Sequence, residues 1–239
     1  MHMHIEGKRL KKILNKIDIL KGIDISITSD SIFGLLGPNG AGKTSLFSIL
    51  SGLSKPSEGE VLYDSKIVNK LSFEQRSDLG VIYLPQEPSV FRELTVEENI
   101  KAALEAKKYD KKKIQNKLTQ ISEEFDLMSI KAQKCNSLSG GQRRRVEIAR
   151  AIALSPKIIL LDEPFAGIDP LIISEIKTLI KGLKEKGIGV LISDHNVNAT
   201  LDICDFIYVI NSGQVIAQGI PNEIVKNEVV KKVYLGDVT

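Results

Sequence analysis

The sequence predicts an α/β fold that forms one continuous domain over residues 1–239 and carries a helical insertion. Short apolar segments typical of buried strands alternate with helical patterns in two stretches, residues 1–94 and 156–239. Between about residues 95 and 155 the strand signals almost vanish, and apolar residues recur at helical spacing. We therefore expect an α/β core that includes an N-terminal antiparallel β-subdomain, with a helical subdomain over about 95–155.

The individual elements follow from apolar periodicity and from the glycine and proline residues that interrupt it. Strands are predicted at residues 23–27, 31–37, 60–63, 157–163 and 187–193, and a β-hairpin at 206–217. Helices are predicted at residues 43–53, 172–183 and 221–225, and an amphipathic helix carries Ile114, Leu118, Ile121 and Phe125 on one face. His2 and His4 are expected to lie in a flexible end without a role.

Composition excludes several classes of protein. Hydrophobic residues make up 42% of the chain and charged residues 26%, as in ordinary globular domains. The net charge of +3 is too small to predict a polyanion-binding surface. No apolar run approaches the roughly 18 residues of a membrane span, and the start lacks the apolar core of a secretory signal. Cys135 and Cys204 predict neither a disulfide framework nor a metal site, so we expect a soluble cytosolic protein.

A glycine-rich segment between a predicted strand and a predicted helix has the spacing of a phosphate-binding loop. Its residues are Gly37, Pro38, Asn39, Gly40, Ala41, Gly42, Lys43 and Thr44, and Ser45 follows them. Backbone N–H groups in such a turn point at phosphate oxygens, and the positive end of the following helix adds to the attraction. Lys43 is expected to reach the β- and γ-phosphates, and the Thr44 hydroxyl to bind Mg²⁺.

Two acidic residues end the predicted strand at 157–163. Asp162 and Glu163 follow a run of apolar residues, which places them at the carboxyl edge of a parallel sheet, where ligands bind. Asp162 is suited to hold Mg²⁺ through water. Glu163 is suited to polarise the water that attacks the γ-phosphate.

The segment LSGGQ at residues 138–142, with the phosphate loop and IILLDEP at 158–164, resembles the ATP-binding cassette (ABC) ATPases. The resemblance implies a P-loop NTPase of the ABC type with a RecA-like core, and a head-to-tail homodimer that holds two ATP molecules. Each ATP would lie between one phosphate loop and the partner's signature, formed by Ser139, Gly140, Gly141 and Gln142. It also implies that Gln86 senses Mg²⁺ and the attacking water, that His195 contacts the γ-phosphate, and that Asp169 lies in the segment crossing to the partner.

Three longer stretches narrow the resemblance within the family. LPQEPSVFRELTVEENI at 84–100, the signature helix with ILLDEPFAGIDP, and DHNV with a terminal VYLG resemble the ATPases of lipopolysaccharide export. This resemblance implies work beneath two membrane subunits on the cytoplasmic face of the inner membrane, without insertion of this chain into the bilayer. The ATPases of branched-chain amino-acid import are an alternative. A non-transport ABC protein acting as a nucleotide-gated clamp is another, although the chain has no sustained heptads.

Four surface features keep more than one interpretation. Phe91 and Arg92 are candidates to anchor a membrane subunit. In the alternative, Phe91 packs into the helical subdomain and Arg92 is solvated. The lysine-rich segment at 101–117 forms either a solvated helical face or a contact with anionic lipid. The basic run at 143–145 is expected to serve packing and the interface, and no nucleic-acid partner is expected. Residues 1–32 lack the aromatic residue that the family stacks on adenine; Leu14 or a neighbour takes its place, which puts adenine selectivity in doubt.

Overall fold

The computed structural model describes residues 2–235, so Met1 and Gly236, the last residue of the VYLG segment, lie outside the described part. The strands are β1 (His4–Leu14), β2 (Ile17–Thr28), β3 (Ile32–Leu36), β4 (Glu58–Tyr63), β5 (Lys66–Ile67), β6 (Val81–Leu84), β7 (Ile158–Asp162), β8 (Gly189–Ser193), β9 (Phe206–Asn211) and β10 (Gln214–Gly219). The helices are α1 (Lys43–Ser51), α2 (Phe73–Asp78), α3 (Val96–Ala106), α4 (Lys111–Glu124), α5 (Gly140–Ala153), α6 (Pro170–Glu185), α7 (Val197–Leu201), α8 (Pro221–Lys226) and α9 (Glu228–Val230). A 3₁₀ turn at Cys135–Ser137 and a π-helical turn at Lys231–Leu235 complete the list.

The larger sheet has six strands in the order β10-β9-β3-β8-β7-β6. The strands from β9 to β6 are mutually parallel, and only β10 pairs antiparallel, as the second strand of the predicted hairpin. All residues of β7 and β8 are buried, which explains their uninterrupted apolar sequences. The loops after β3, β6, β7 and β8 therefore leave from the same carboxyl edge of the sheet, where ligands bind in such folds.

The smaller sheet is antiparallel, in the order β2-β1-β4-β5. Its central strand β1 corrects our expectation that the chain start is flexible. The Nε2 atom of His4 lies 2.7 Å from Ser26 Oγ on β2, and Met3 is buried. β1 pairs with β2 on one side and, over part of its length, with β4 on the other, and this pairing holds a lysine-rich sequence in strand conformation.

Helices α3, α4 and α5 occupy the interval in which we predicted helical structure. The predicted apolar face is confirmed, because Ile114, Leu118, Ile121 and Phe125 are all buried. α3 packs on α4 and α5, and α5 also contacts β6 and α6. α5 thus connects this group of helices to the sheet edge that carries the candidate site. No helix within residues 2–235 has the length and apolarity needed to span a bilayer.

Candidate functional site

The phosphate-loop sequence forms the turn between β3 and α1. Gly42 has a φ of 106°, and a Cβ there would lie 2.6 Å from Leu20 Cδ2, so both conformation and space require glycine. The turn is fixed by backbone bonds from Ala41 N to Pro38 O (3.2 Å) and from Gly213 N to Ala41 O (3.1 Å). No side chain caps α1, and its first turn carries no acidic residue, so its N–H groups remain available to an anion.

Lys43 is held inside this loop. Its Nζ donates to Gly37 O at 2.6 Å and to Pro38 O at 3.1 Å. Burial lowers the pKa of the ammonium, while the carboxylates of Glu163 and Asp162 oppose that shift. The cation is therefore positioned over the same edge as the two acidic residues that end β7.

Glu163 contacts the other two side chains that we predicted to be catalytic, Gln86 and His195. Its Oε2 accepts a hydrogen bond from Gln86 Nε2 at 2.7 Å, and its Oε1 lies 2.7 Å from His195 Nε2. The residue has a φ of 49°, a strained conformation for glutamate that recurs at functional sites. Glu163 N donates to Ser193 O at 2.7 Å, which fixes the strained backbone to the end of β8.

Asp162 lies one residue earlier and is almost fully buried. Its Oδ2 accepts a hydrogen bond from the Tyr83 hydroxyl at 3.2 Å. Burial raises the pKa of the Asp162 carboxyl, and hydrogen bonds from Thr44 and Tyr83 offset part of that rise. Two of the predicted Mg²⁺ ligands, Thr44 and Asp162, are thus next to each other, and Tyr83 on β6 orients the second.

Asp194 is a site residue that sequence reasoning missed. Its Oδ2 accepts from Phe165 N at 2.7 Å and its Oδ1 from Asn196 N at 2.8 Å. It therefore ties the segment after Glu163 to the loop that carries His195. Burial raises the pKa of the Asp194 carboxyl, and these two N–H groups oppose the rise. The only sequence signal was its place at the end of a buried strand, beside His195.

The signature residues form the N-terminus of α5. Ser139 Oγ accepts from Gln142 N at 3.2 Å, and Gln142 Oε1 accepts from Ser139 N at 3.0 Å, which is a capping box. The Ser139 hydroxyl keeps its own proton to donate. Gly141 is packed on α6, since a Cβ there would lie 2.2 Å from Ile172 Cγ2. Gln142 thus supports the helix end that Ser139 and Gly140 expose.

A cleft of about 180 Å³ separates the signature helix from the Glu163 segment. Gly140 and Arg143 line one side, and Gln86 and Glu163 line the other. The phosphate-loop residues do not line it. Asp169, in the segment that leads to α6, caps that helix by accepting from Leu171 N at 2.9 Å. Leu171 itself is 80% exposed.

Phe91 and Arg92 lie in the loop between β6 and α3, and both are exposed. The interpretation that Phe91 packs into the helical subdomain is wrong, because the residue is 54% exposed. The Arg150 guanidinium lies over its ring, with Cζ 5.1 Å from the ring centre. Buried Asn99 fixes the loop instead: Phe91 N donates to Asn99 Oδ1 (2.9 Å), and Asn99 Nδ2 donates to Phe91 O (3.0 Å). The ring is thereby presented outward on a rigid backbone.

An apolar groove of about 390 Å³ lies close to this loop. It is lined by residues of α2, β6 and α5 and of the loops that follow α1, β6 and α5, and Arg150 links it to Phe91. The lining residues are Leu53, Phe73, Ser77, Ile82, Tyr83, Leu84, Pro85, Ser89, Arg150, Ala151 and Leu154.

A buried polar chain leads from this groove to the end of β7. Ser89 N donates to Glu147 Oε1 at 2.7 Å, and Glu147 Oε2 pairs with Arg144 Nη1 at 2.8 Å. Arg144 Nη2 lies 3.5 Å from Asp162 O. The ion pair is almost fully buried, so it is rigid and sensitive to displacement of either end.

The three arginines at 143–145 make hydrogen bonds and ion pairs within the chain. Arg144 pairs with Glu147, and Arg145 contacts Asp126 and Glu175. Arg143 Nη2 donates to Leu138 O at 3.2 Å. These contacts favour the packing role that we expected over contact with nucleic acid.

Comparison with known proteins decides the family. Residues 20–166 match the profile described as ABC transporter. The chain belongs to the ABC transporter family. Residues 214–238 also match the profile described as branched-chain amino acid ATP-binding cassette transporter. As an ABC ATP-binding subunit, the chain is an ATPase with the P-loop α/β fold that the sequence predicted.

Two relatives of this ABC protein share one name, lipopolysaccharide export system ATP-binding protein LptB. The Haemophilus influenzae protein is 44% identical over 98% of this chain and 97% of its own length. The Escherichia coli protein is 42% identical over the same shares of the two chains.

Solved structures agree with the family assignment. A nucleotide-free ATP-binding cassette from an ABC transporter has a TM-score of 0.88 and 29% identity, covering 99% of this chain and 100% of its own. A dimeric bacterial ABC transporter cassette has a TM-score of 0.81 and 28% identity, covering 91% of this chain and 98% of its own.

The residues expected near the base of ATP lie at the turn between β1 and β2. Leu14 and Ile17 are paired in register there and are 47% and 62% exposed. An apolar but non-aromatic surface can cover a base without the added attraction of ring stacking. Reduced selectivity for adenine stays a prediction.

Proposed function

We propose that this ABC protein is the ATPase subunit of a lipopolysaccharide exporter, which works as a homodimer beneath two membrane subunits at the cytoplasmic face of the inner membrane. The main support is that the chain is 44% identical, over 98% of its length, to a relative named lipopolysaccharide export system ATP-binding protein. The site geometry supports the chemical part, and the exposed Phe91 beside the apolar groove supports a protein partner.

In the proposed reaction, the uncapped end of α1 and the Lys43 ammonium bind the β- and γ-phosphates of ATP. Glu163 takes a proton from the attacking water. Gln86 and His195 hold the Glu163 carboxylate from two sides at 2.7 Å, so its oxygens cannot rotate away from the water. Asp194 keeps the His195 loop and the segment after Glu163 in register.

The donors around Asp162 fit Mg²⁺. The Thr44 hydroxyl, the Asp162 carboxylate and the Gln86 carbonyl supply oxygen atoms only, which is what this hard cation prefers. Gln86 uses its amide nitrogen on Glu163, which leaves its oxygen for the metal. When bound, Mg²⁺ would neutralise part of the phosphate charge. Tyr83 holds Asp162 in place for that role.

Two copies are proposed because, among the described residues, the cleft lined by Gly140 at the signature end of α5 contains no residue of the phosphate loop. We therefore propose that Ser139 of one copy completes the phosphate site of the other. Leu171, beside Asp169, is 80% exposed and would be covered by the second copy.

The groove beside Phe91 is the proposed seat of a segment from each membrane subunit. Motion of that segment would move the Phe91 loop, and the Ser89–Glu147–Arg144 chain would carry the displacement to Asp162. This contiguous chain links ATP chemistry to transport.

Phe91→Ala tests the groove. We expect ATP turnover of the isolated chain to stay within twofold, since the ring touches no nucleotide group, while copurification with the membrane subunits falls at least tenfold. Pull-down of the membrane subunits and ATPase assays measure both. Leu79→Ala, on an exposed apolar residue outside the groove lining, is the matched control. Unimpaired copurification of Phe91→Ala would reject the exposed Phe91 ring beside the groove as the partner anchor.

The importer alternative has one observation in its favour, the match of residues 214–238 to the branched-chain family. Copurification separates the two functions. Membrane subunits whose presence makes ATP turnover respond to lipopolysaccharide support the exporter. Stimulation by a binding protein loaded with a branched-chain amino acid would support the importer instead.

A further inference from the structure

A group of exposed or half-buried lysines surrounds the turn between α3 and α4. Residues 101–117 contain seven lysines and two acidic residues. Both acids are already engaged: Glu105 pairs with Lys101 at 3.9 Å, and Asp110 Oδ1 accepts from Lys113 N at 2.8 Å as the cap of α4. We call the other six the lysine cluster: Lys107, Lys108, Lys111, Lys112, Lys113 and Lys117. The ion pairs found among residues 2–235 include none of these six.

Half of the lysine cluster lies where a helix disfavours cations. Lys111, Lys112 and Lys113 form the first turn of α4, where the N-cap Asp110 supplies one carboxylate against three ammonium groups. The partial positive charge of a helix N-terminus repels lysine and favours acidic residues. The excess of positive charge at this helix end is locally unfavourable, and a departure of this kind from local preference is found at functional sites.

The lysine cluster is connected to the partner groove through Tyr109. The Tyr109 hydroxyl is 3.4 Å from Ser155 Oγ, and Ser155 follows Leu154, which lines the groove. Lys113 Nζ and Lys117 Nζ lie 4.2 and 5.5 Å from the centre of the Tyr109 ring. Tyr109 thus attaches the cluster to the face on which the proposed membrane subunits sit.

We propose that the lysine cluster binds the anionic surface of the lipid bilayer and holds this subunit against the membrane. The inference rests on the proposed function, because the groove beside it is assigned to membrane subunits. Flexible ammonium groups suit a mobile layer of lipid phosphates. The cluster contains no arginine, and two lysines already cover its aromatic ring, so it offers no platform for stacking nucleic-acid bases.

Vesicle cosedimentation of the full chain tests the proposal. The probe is a vesicle of equal parts phosphatidylglycerol and phosphatidylcholine at 0.1 M salt. The variant carries Lys108→Gln, Lys111→Gln and Lys112→Gln, all at exposed positions. We expect the vesicle–water partition coefficient of this variant to be lower than that of the wild type by a factor on the order of 100. Raising the salt to 0.5 M should lower the wild-type coefficient to a similar extent. The melting temperature of the variant should be unchanged or higher, because the helix end loses repulsive charge.

The matched control removes the same charge elsewhere, through Lys66→Gln, Lys70→Gln and Lys226→Gln at exposed positions. It should bind vesicles within about threefold of the wild type. Equal losses in both triple variants, or equal wild-type binding to pure phosphatidylcholine, would overturn the proposal. So would a single-stranded RNA 20-mer that binds more tightly than the vesicles and is released by the cluster variant. Because no membrane subunit is present, failure here leaves the Phe91 test of the proposed function unaffected.

Discussion

Glu163→Gln is expected to slow ATP turnover by about 10²–10⁴-fold while ATP binding is retained, because an amide cannot accept the proton of the attacking water. The substitution keeps the length of the side chain, and the amide can still hydrogen-bond Gln86 and His195, so the site should keep its shape. Because bound ATP is not hydrolysed in this variant, the two-copy complex should accumulate. Single-turnover assays and size-exclusion chromatography with ATP measure the two effects.

The control for this experiment is Glu185→Gln, an exposed glutamate at the end of α6. It should leave turnover within twofold of the wild type. Wild-type turnover in Glu163→Gln would remove Glu163 from the role of base. A slow variant that remains a single copy with ATP would separate the base from the proposed two-copy complex.

Lys43→Ala is expected to reduce ATP affinity by at least about 100-fold, because a charge-assisted contact to the phosphates is lost. The structure indicates that the fold will tolerate the change, since burial already disfavours the ammonium and lowers its pKa. Binding of a fluorescent ATP analogue measures the affinity, and thermal unfolding without nucleotide confirms the fold.

Lys70→Ala, at an exposed position far along the sequence from the phosphate loop, is the control for Lys43→Ala. It should bind ATP as the wild type does. Unchanged affinity in Lys43→Ala would contradict the phosphate-loop assignment, whatever the effect on turnover.

The sequence predicted the features that depend on local chemistry. A glycine turn followed by Lys43, a strand that ends in Asp162 and Glu163, and the apolar face of α4 each follow from residue spacing alone. The structure then brings Gln86 and His195 within hydrogen-bonding distance of Glu163, while the roles that the resemblance implies for them stay predictions.

The features that sequence reasoning missed depend on contacts between distant residues. β1 has a lysine-rich sequence with irregular pairing, and its strand conformation comes from neighbours on both sides. Asp194 and Glu147 are isolated acids in the sequence, and only folding buries them against distant N–H groups and Arg144. The outward ring of Phe91 is set by Asn99, eight residues later, through a side chain whose partners the sequence does not specify.

The central claim is that ATP is hydrolysed between two copies, with Ser139 of one facing the phosphate loop of the other. The most direct test is specific ATPase activity as a function of chain concentration for Ser139→Asp and the wild type. Aspartate keeps the cap of α5 and places a negative charge where the phosphate should approach. Ser72→Asp is the matched control, since Ser72 caps α2 in the same Ser-x-x-Gln box.

We predict that wild-type and Ser72→Asp activity per chain rises with concentration, and that Ser139→Asp loses at least about 100-fold at every concentration. Activity per chain that is independent of concentration, and equal in Ser139→Asp and the wild type, would contradict the account.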